Sequence, residues 1–66
     1  MSLTVNGHLI ETIEGGSLES FLKKQKLLYS RVAIELNGQI VIRSLYKETI
    51  LKNGDVVEVI GVVGGG

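Results

Sequence analysis

Residues 32–41 read VAIELNGQIV, two short apolar-rich runs on either side of Asn37 and Gly38. In the first run, apolar side chains occupy every second position, the period of a strand with one buried face. Asn-Gly supplies the two positive φ values of a type I′ turn, a common two-residue connection in hairpins. The stretch therefore predicts a β-hairpin with strands at Val32–Leu36 and Gln39–Ile42.

A second hairpin is predicted upstream, where Leu3–Val5 alternates as a strand and residues 6 and 7 again read Asn-Gly. The return strand runs from His8 to about Ile13. Its apolar residues Leu9 and Ile10 are adjacent, and a two-residue turn places Ile10 on the face of Leu3. A bulge and a shift of one residue in the register both remain open here.

One helix is predicted between the hairpins. Gly15 and Gly16 end the preceding strand, Ser17 is a favourable N-cap, and the helix should begin at Leu18 with Glu19 in its first turn. One stripe follows the i, i+3, i+4 spacing and should be buried: Leu18, Phe21 and Leu22. Basic residues occupy the end of the helix, where the macrodipole favours them: Lys23, Lys24 and Lys26. We expect residues 27–30 to end the helix.

The C-terminal part should contain one long strand. Ser44–Tyr46 is long enough for a helical turn only, Thr49–Leu51 for a brief edge segment, and Asn53–Asp55 forms a turn. Val56 to about Val63 is rich in β-branched residues, which favours a central strand with neighbours on both edges. Three glycines, residues 64–66, follow directly.

Together these elements predict an α+β fold: a mixed sheet with one main helix packed on one face. With 66 residues, only about 60% of the unfolded surface is buried, so the chain forms one domain, residues 1–63, and a flexible glycine tail, residues 64–66. The predicted core is Leu3, Val5, Phe21, Leu22, Ile34, Leu36, Val57 and Val59.

Composition argues against several classes of function. Seven basic and seven acidic residues cancel, so nothing attracts the chain to nucleic acid or to anionic membranes. There is no cysteine for a disulfide, a thiolate metal site or thiol chemistry. Neither a signal peptide nor an apolar run of about 18 residues is present. We therefore expect a cytoplasmic protein, monomeric when alone, with no membrane or nucleic-acid partner.

The side chains offer no catalytic constellation. His8 is expected to be an exposed strand residue, and the carboxylates are scattered along the chain. Neither glycine cluster has the spacing of a phosphate-binding loop. The helical lysines are better explained as a solvated helix end than as a binding patch. The sequence thus predicts a chain that is not an enzyme and that binds no metal or cofactor.

The C-terminal carboxylate of Gly66 is the candidate functional group. Glycines at the end of a chain are weak evidence alone, because a cloning scar or a frayed end looks the same. Here they follow a core strand with no linker, so the carboxylate lies at a short, fixed reach from a rigid body. Without Cβ atoms, Gly64 and Gly65 can thread extended through a partner's narrow active site.

The last strand also predicts a docking surface. If Val57 and Val59 point inward, alternation directs Ile60 and Val62 outward, beside the tail. The alternative explanation, ordinary packing of these two side chains under a neighbouring loop, is equally well supported.

The whole chain resembles the ThiS family, the sulfur carriers of thiamine biosynthesis, which have the ubiquitin-like β-grasp fold. The resemblance rests on five segments, of which the third and the last are the most specific: residues 5–7, 16–18, 32–41, 53–55 and 62–66. Two positions depart from the family pattern. Ile42 stands where proline is frequent, within a loop, and Val62 stands where an aromatic residue is common, close to the predicted partner contact.

The resemblance implies a noncatalytic carrier. A ubiquitin-activating-type adenylyltransferase, using ATP and magnesium, would adenylate the Gly66 carboxylate, and a persulfide sulfur donor would convert it to a thiocarboxylate for thiazole synthase. Two alternatives remain open. One is a related β-grasp sulfur carrier for molybdopterin synthesis or a ubiquitin-like protein modifier, and the other is a β-grasp interaction module with an inert tail.

Overall fold

The computed structural model describes residues 1–12, 16–27 and 31–61 of the chain. The elements in these ranges are, in order, β1 (Ser2–Val5), β2 (His8–Glu11), α1 (Leu18–Lys24), β3 (Val32–Leu36), β4 (Gln39–Val41), a 3₁₀ turn (Arg43–Leu45) and β5 (Val56–Gly61). The strands form one mixed sheet in the order β2-β1-β5-β3-β4. β5 is parallel to β1 and antiparallel to β3, so the last strand is central, as predicted.

Both predicted Asn-Gly hairpins are confirmed. Asn6 and Gly7 have φ values of 50° and 84°, and Asn37 and Gly38 have values of 51° and 86°. These are the paired positive φ values of type I′ turns. Leu3 lies opposite Ile10 in an unbroken register, so the described part of β2 contains neither the bulge nor the shift left open by the sequence. The predicted end of this strand, Ile13, lies outside the described residues.

The helix begins as predicted and ends earlier. Ser17 caps α1 by accepting a hydrogen bond from the backbone N–H of Ser20 at 3.1 Å. The helix stops at Lys24, before the segment 27–30 that was expected to end it. Lys26 therefore lies beyond the helix, with φ 60°.

A Schellman motif explains the early end of α1. The backbone N–H of Lys26 donates to the carbonyl of Lys23 at 3.0 Å, and that of Leu27 donates to Leu22 at 2.8 Å. Lys26 occupies the left-handed position that glycine usually fills. The sequence offers no glycine there, which is why the end was misplaced.

The core lies between α1 and one face of the sheet. Its buried residues are Leu3, Leu18, Phe21, Leu22, Ile34, Tyr46, Leu51 and Val57. Three residues predicted to belong to it are only half-buried and pack around its margin: Val5, Leu36 and Val59. Two residues of the 42–55 segment were missed, Tyr46 and Leu51.

The 42–55 segment covers one side of the core. The predicted helical turn is a 3₁₀ turn at Arg43–Leu45, and β4 ends at Val41, one residue before the predicted Ile42. The predicted edge segment is reduced to a single bridge between Ile50 and Ser17. Backbone bonds from Leu18 to Thr49 and from Leu51 to Gly16 tie this segment to the start of the helix. These ties explain why Leu51 is buried although its own segment is irregular.

Candidate functional site at the C-terminal strand

The strand that leads toward the C-terminal glycines is held on both sides. β1 pairs with the first half of β5 through Thr4 and Val5, and β3 pairs with β5 from Val57 to Gly61. A strand with neighbours on both edges cannot shift without breaking two ladders. β5 is therefore held on both edges at its start, and β3 holds the rest of it as far as Gly61.

Asn6 extends the hold of β1 beyond the end of that strand. Its backbone N–H donates to the carbonyl of Val57 at 3.0 Å, and its side-chain Oδ1 accepts from the N–H of Val59 at 2.7 Å. The side-chain amide thus supplies an acceptor after β1 has turned away. An asparagine that tolerates positive φ fits both requirements.

Asn37 does the same on the β3 side. Its backbone N–H donates to the carbonyl of Val56 at 2.8 Å, and its Oδ1 accepts from the N–H of Val56 at 2.9 Å. Its Nδ2 donates to the Asp55 carboxylate at 3.0 Å, and that carboxylate also accepts from the N–H of Lys52 at 2.8 Å. The turn asparagines of both hairpins therefore fix β5, a role that the Asn-Gly pattern alone does not predict.

The outward side of β5 is partly apolar. Val57 is fully buried and Val59 half-buried, so alternation places Glu58 and Ile60 on the opposite face, as predicted. Ile60 is 46% exposed, so the described residues do not cover it with a loop. Val62, the second predicted docking residue, lies outside the described residues.

Neighbouring strands enlarge this surface, which we call the outward face. Its exposed apolar side chains, beside Ile60, are Leu9, Ile40 and Val56. The register assigns them to one side of the sheet: Ile40 lies opposite Glu35, Ile60 opposite Ala33, and both Leu9 and Val56 are partners of Thr4. The alternation of the last strand alone predicted only the part of this surface that lies on β5.

Two carboxylates lie at the centre of the outward face. Glu35 of β3 and Glu58 of β5 are directly opposite in the antiparallel register, and both line a shallow depression together with Asn6, Gly7 and Ile60. The prediction that the carboxylates are scattered is wrong for these two. Glu35 follows the buried Ile34 and Glu58 follows the buried Val57, so alternation places both carboxylates on the outward face. Antiparallel pairing of the two strands was the further signal that could have predicted the pair.

The candidate residues Gly64, Gly65 and Gly66 lie outside the described residues. Among the side chains that are described, His8 is exposed in β2, which fits its interpretation as an ordinary strand residue. No group of three or more potential metal ligands occurs within residues 1–12, 16–27 and 31–61. In the same ranges no helix is long and apolar enough to cross a membrane.

A family model identifies the class of protein to which this arrangement belongs. The model described as the ThiS family matches residues 3–66, a range that includes the three terminal glycines. The chain belongs to the ThiS family and has its β-grasp fold. Members of this family are small sulfur carriers, and the chain is a sulfur carrier of the ThiS type.

Individual relatives agree with this assignment. The crystal structure of the thiamine biosynthesis protein ThiS from Geobacter metallireducens superposes with a TM-score of 0.88, with 35% identity and full coverage of both chains. A solution structure of a thiamine biosynthesis protein from the same organism gives a TM-score of 0.79 at 35% identity, covering all of this chain and 88% of that one. The uncharacterized protein ycf40 from Porphyra purpurea is 33% identical over 66 residues, which are all of this chain and 93% of that protein.

Proposed function

We propose that this chain carries sulfur for thiazole formation in thiamine biosynthesis, and that the carrying group is the backbone carboxylate of Gly66. The chain itself is not a catalyst and binds no cofactor. A ubiquitin-activating-type adenylyltransferase supplies ATP and magnesium, a persulfide supplies sulfur, and thiazole synthase accepts it, all in the cytoplasm.

The chemistry explains why an activating step is needed. A carboxylate is a poor electrophile, so its oxygen first attacks the α-phosphorus of ATP and displaces pyrophosphate, giving an acyl adenylate. The terminal sulfur of the persulfide attacks the acyl carbon and AMP leaves. A thiol then cleaves the resulting S–S bond and becomes part of a disulfide. The thiocarboxylate left on Gly66 is a much better nucleophile than the original carboxylate.

The observation that carries this proposal is the combination of a fixed strand with a family match that extends through residue 66. β5 is paired on both edges, and the asparagines of both hairpin turns hold it. Gly66, the proposed carrying residue, lies five positions after Gly61, the last described residue of β5. At about 3.3 to 3.6 Å per extended residue, the terminal carboxylate has a reach of at most about 18 Å from the sheet.

This short reach means that the partner must come close to the sheet. We propose that the activating enzyme docks on the outward face of β5 through Ile60 and Val62 while Gly64 and Gly65 thread its active site. Ile60→Asp should then weaken binding of the enzyme more than it lowers the thermal midpoint. An Ile60→Asp chain that no longer folds would instead support a packing role for this side chain.

Intact-protein mass spectrometry tests the central claim. The chain is incubated with the cognate activating enzyme, ATP, magnesium and a persulfide donor. We expect the mass to increase by the replacement of one oxygen by one sulfur, located on Gly66 by fragmentation, and we expect no change when ATP is omitted.

Two tail variants make this experiment specific. A chain with one residue added after Gly66 displaces the carboxylate by roughly 3.5 Å and should not react. Gly65→Val should react slowly, because the added side chain meets the wall of the partner's active site. Gly61→Ala is the matched control: no heavy atom lies within 4 Å of a Cβ built there, so it should react like the parent. Equal thiolation of the extended chain would refute the terminal carboxylate as the working group.

The other candidate functions make different claims. Unchanged function in cells after deletion of Gly65 and Gly66 would favour an interaction module with an inert tail. Transfer of sulfur to a molybdopterin synthase large subunit, or attachment of the chain to lysines of other proteins, would replace thiazole formation as the destination.

A further inference from the structure

The paired carboxylates Glu35 and Glu58 are not explained by stability of the free chain. They are direct partners on adjacent antiparallel strands, where Cβ atoms lie about 4.5 to 5.5 Å apart and like charges are destabilising. Neither side chain is needed for the core, since both lie on the side of the sheet opposite α1. A structural explanation would require a nearby cation on the same face.

The strands provide no such cation in the part of the chain that the structure describes. The charged residues on the outward face of β1 to β5 are all carboxylates: Glu11, Glu35 and Glu58. Glu11 lies at the margin in β2 and accepts a hydrogen bond from the Ser2 hydroxyl. The basic residues Lys23 and Lys24 lie on α1, across the sheet. The chain has zero net charge, but the charged strand residues of its outward face are acidic, and the nearest arginines in the sequence, Arg31 and Arg43, lie beyond the ends of β3 and β4.

The surroundings of the pair resemble the centre of a protein interface. Exposed apolar side chains lie next to it on the same face: Ile40 opposite Glu35, and Val56 and Ile60 two residues to either side of Glu58. Glu35 and Glu58 also line the shallow depression described above, so a side chain from a partner can reach between them. A charged group surrounded by apolar contacts is partly desolvated on binding, which strengthens its interaction with an opposite charge.

We propose that the docking surface of the activating enzyme places a cationic side chain, a guanidinium, between Glu35 and Glu58, with apolar side chains around it that contact Ile40, Val56 and Ile60. A planar guanidinium has separate N–H donors for two carboxylates, whereas an ammonium is a point charge. This inference rests on the proposed function and adds the chemistry by which the partner recognises the sheet.

The pair also favours one partner over others. A protein that presents an apolar patch with an acidic or uncharged centre leaves two carboxylates repelled or unpaired on docking, which costs affinity. The repulsion tolerated in the free chain thus serves discrimination, and a cation on the correct partner removes it.

Binding measurements with the cognate activating enzyme test the proposal. The double variant Glu35→Gln and Glu58→Gln removes both charges with little change in shape. The matched control, Glu19→Gln with Glu48→Gln, removes the same net charge from α1 and from the segment after the 3₁₀ turn. The dissociation constant is measured for the parent, the pair variant and the control at low and at high salt.

We expect the pair variant to bind at least tenfold more weakly at low salt, with a flatter dependence on salt, and the control to change less than twofold. The thermal midpoint of the free pair variant should equal or exceed that of the parent, because the cross-strand repulsion is gone. At saturating enzyme the pair variant should still be thiolated to completion, since Gly66 is unchanged.

The outcomes separate the two levels of inference. A parent chain that neither binds the enzyme nor gains sulfur refutes the proposed function itself. Normal thiolation of the parent with unchanged affinity and unchanged salt dependence of the pair variant refutes only the role of Glu35 and Glu58. Loss of binding in Ile60→Asp but not in the pair variant would mean that docking is apolar without a cation.

Discussion

Replacing Asn37 by glycine should destabilise the chain, although the glycine keeps the turn. Position 37 has φ 51°, which glycine adopts without strain, so the variant removes the side chain and leaves the turn geometry intact. Two hydrogen bonds are lost, the 2.9 Å bond from the N–H of Val56 and the 3.0 Å bond to Asp55. At about 1 kcal/mol for each partly exposed bond, the expected loss is about 1.5 to 2 kcal/mol.

Asn6→Gly is the internal comparison for this prediction. It has the same turn geometry and loses one side-chain bond to β5, the 2.7 Å bond from the N–H of Val59, so about 1 kcal/mol is expected. A domain of this size has roughly 3 to 10 kcal/mol of total stability, and 1 kcal/mol shifts its midpoint by about 4 to 8 °C. Thermal and urea denaturation followed by circular dichroism resolve both changes.

A double-mutant cycle with Asp55→Ala assigns the energy to individual contacts. The coupling between positions 37 and 55 should be about 0.5 to 1 kcal/mol, and the remainder of the Asn37 effect belongs to the bond with Val56. If Asn37→Gly unfolds like the parent, or if Asn6→Gly costs more, then the turn asparagines do not hold β5 as described. Asn37→Ala should be worse than Asn37→Gly, because alanine is strained at positive φ.

Three other substitutions test the fold by the same denaturation measurements. Phe21→Ala should cost about 3 kcal/mol because the ring is 6% exposed in the core, whereas Lys23→Ala on the exposed side of α1 should cost little; equal stabilities would mean that the buried face of the helix is wrong. Lys26→Gly should stabilise by about 0.5 to 1 kcal/mol by relieving the φ of 60°, and a loss of stability would contradict the Schellman geometry. Ile42→Pro should stabilise the chain by about 0.4 to 1 kcal/mol, because the φ of −73° at this position already suits proline. The N–H groups of β4 point alternately toward and away from β3, and that of residue 42 points away, so proline removes no bond of the sheet. A loss of stability would show that this N–H is needed.

The elements that the sequence predicted best are those in which one local signal is sufficient. Asn-Gly between alternating residues defined both hairpins, and Ser17 before an apolar stripe defined the start of α1. The central position of β5 followed from its density of β-branched residues. In each case propensity, turn chemistry and hydrophobic period favour the same local structure, and the tertiary contacts are compatible with it.

The errors lie where long-range contacts decide. Tyr46 and Leu51 are buried because the 42–55 segment folds back on the start of α1. The segment has no hydrophobic periodicity from which this burial could be predicted. Lys26 adopts a conformation that its own side chain disfavours, because capping the helix compensates for it. The pairing of Glu35 with Glu58 depends on the register between β3 and β5, which cannot be predicted from the sequence of either strand alone.

Substitutions in β5 and in the glycines after it should affect three different properties, depending on their position: stability, affinity for the partner and transfer of sulfur. Its inward residues, such as Val57 at 0% exposure, contribute to the core, and substitutions there should lower stability before they affect any partner. Its outward residues, Glu58 and Ile60, contribute little to the core, so substitutions there should change affinity and leave the fold intact. Substitutions at Gly65 and Gly66 should leave the stability unchanged and slow the transfer of sulfur. Successive side chains of a strand point to opposite faces. A substitution at Val57 should therefore change the stability, and one at its neighbour Glu58 should change the affinity for the partner. A variant at Glu58 that unfolded the chain, or one at Val57 that weakened docking without loss of stability, would therefore contradict the assignment of the two faces.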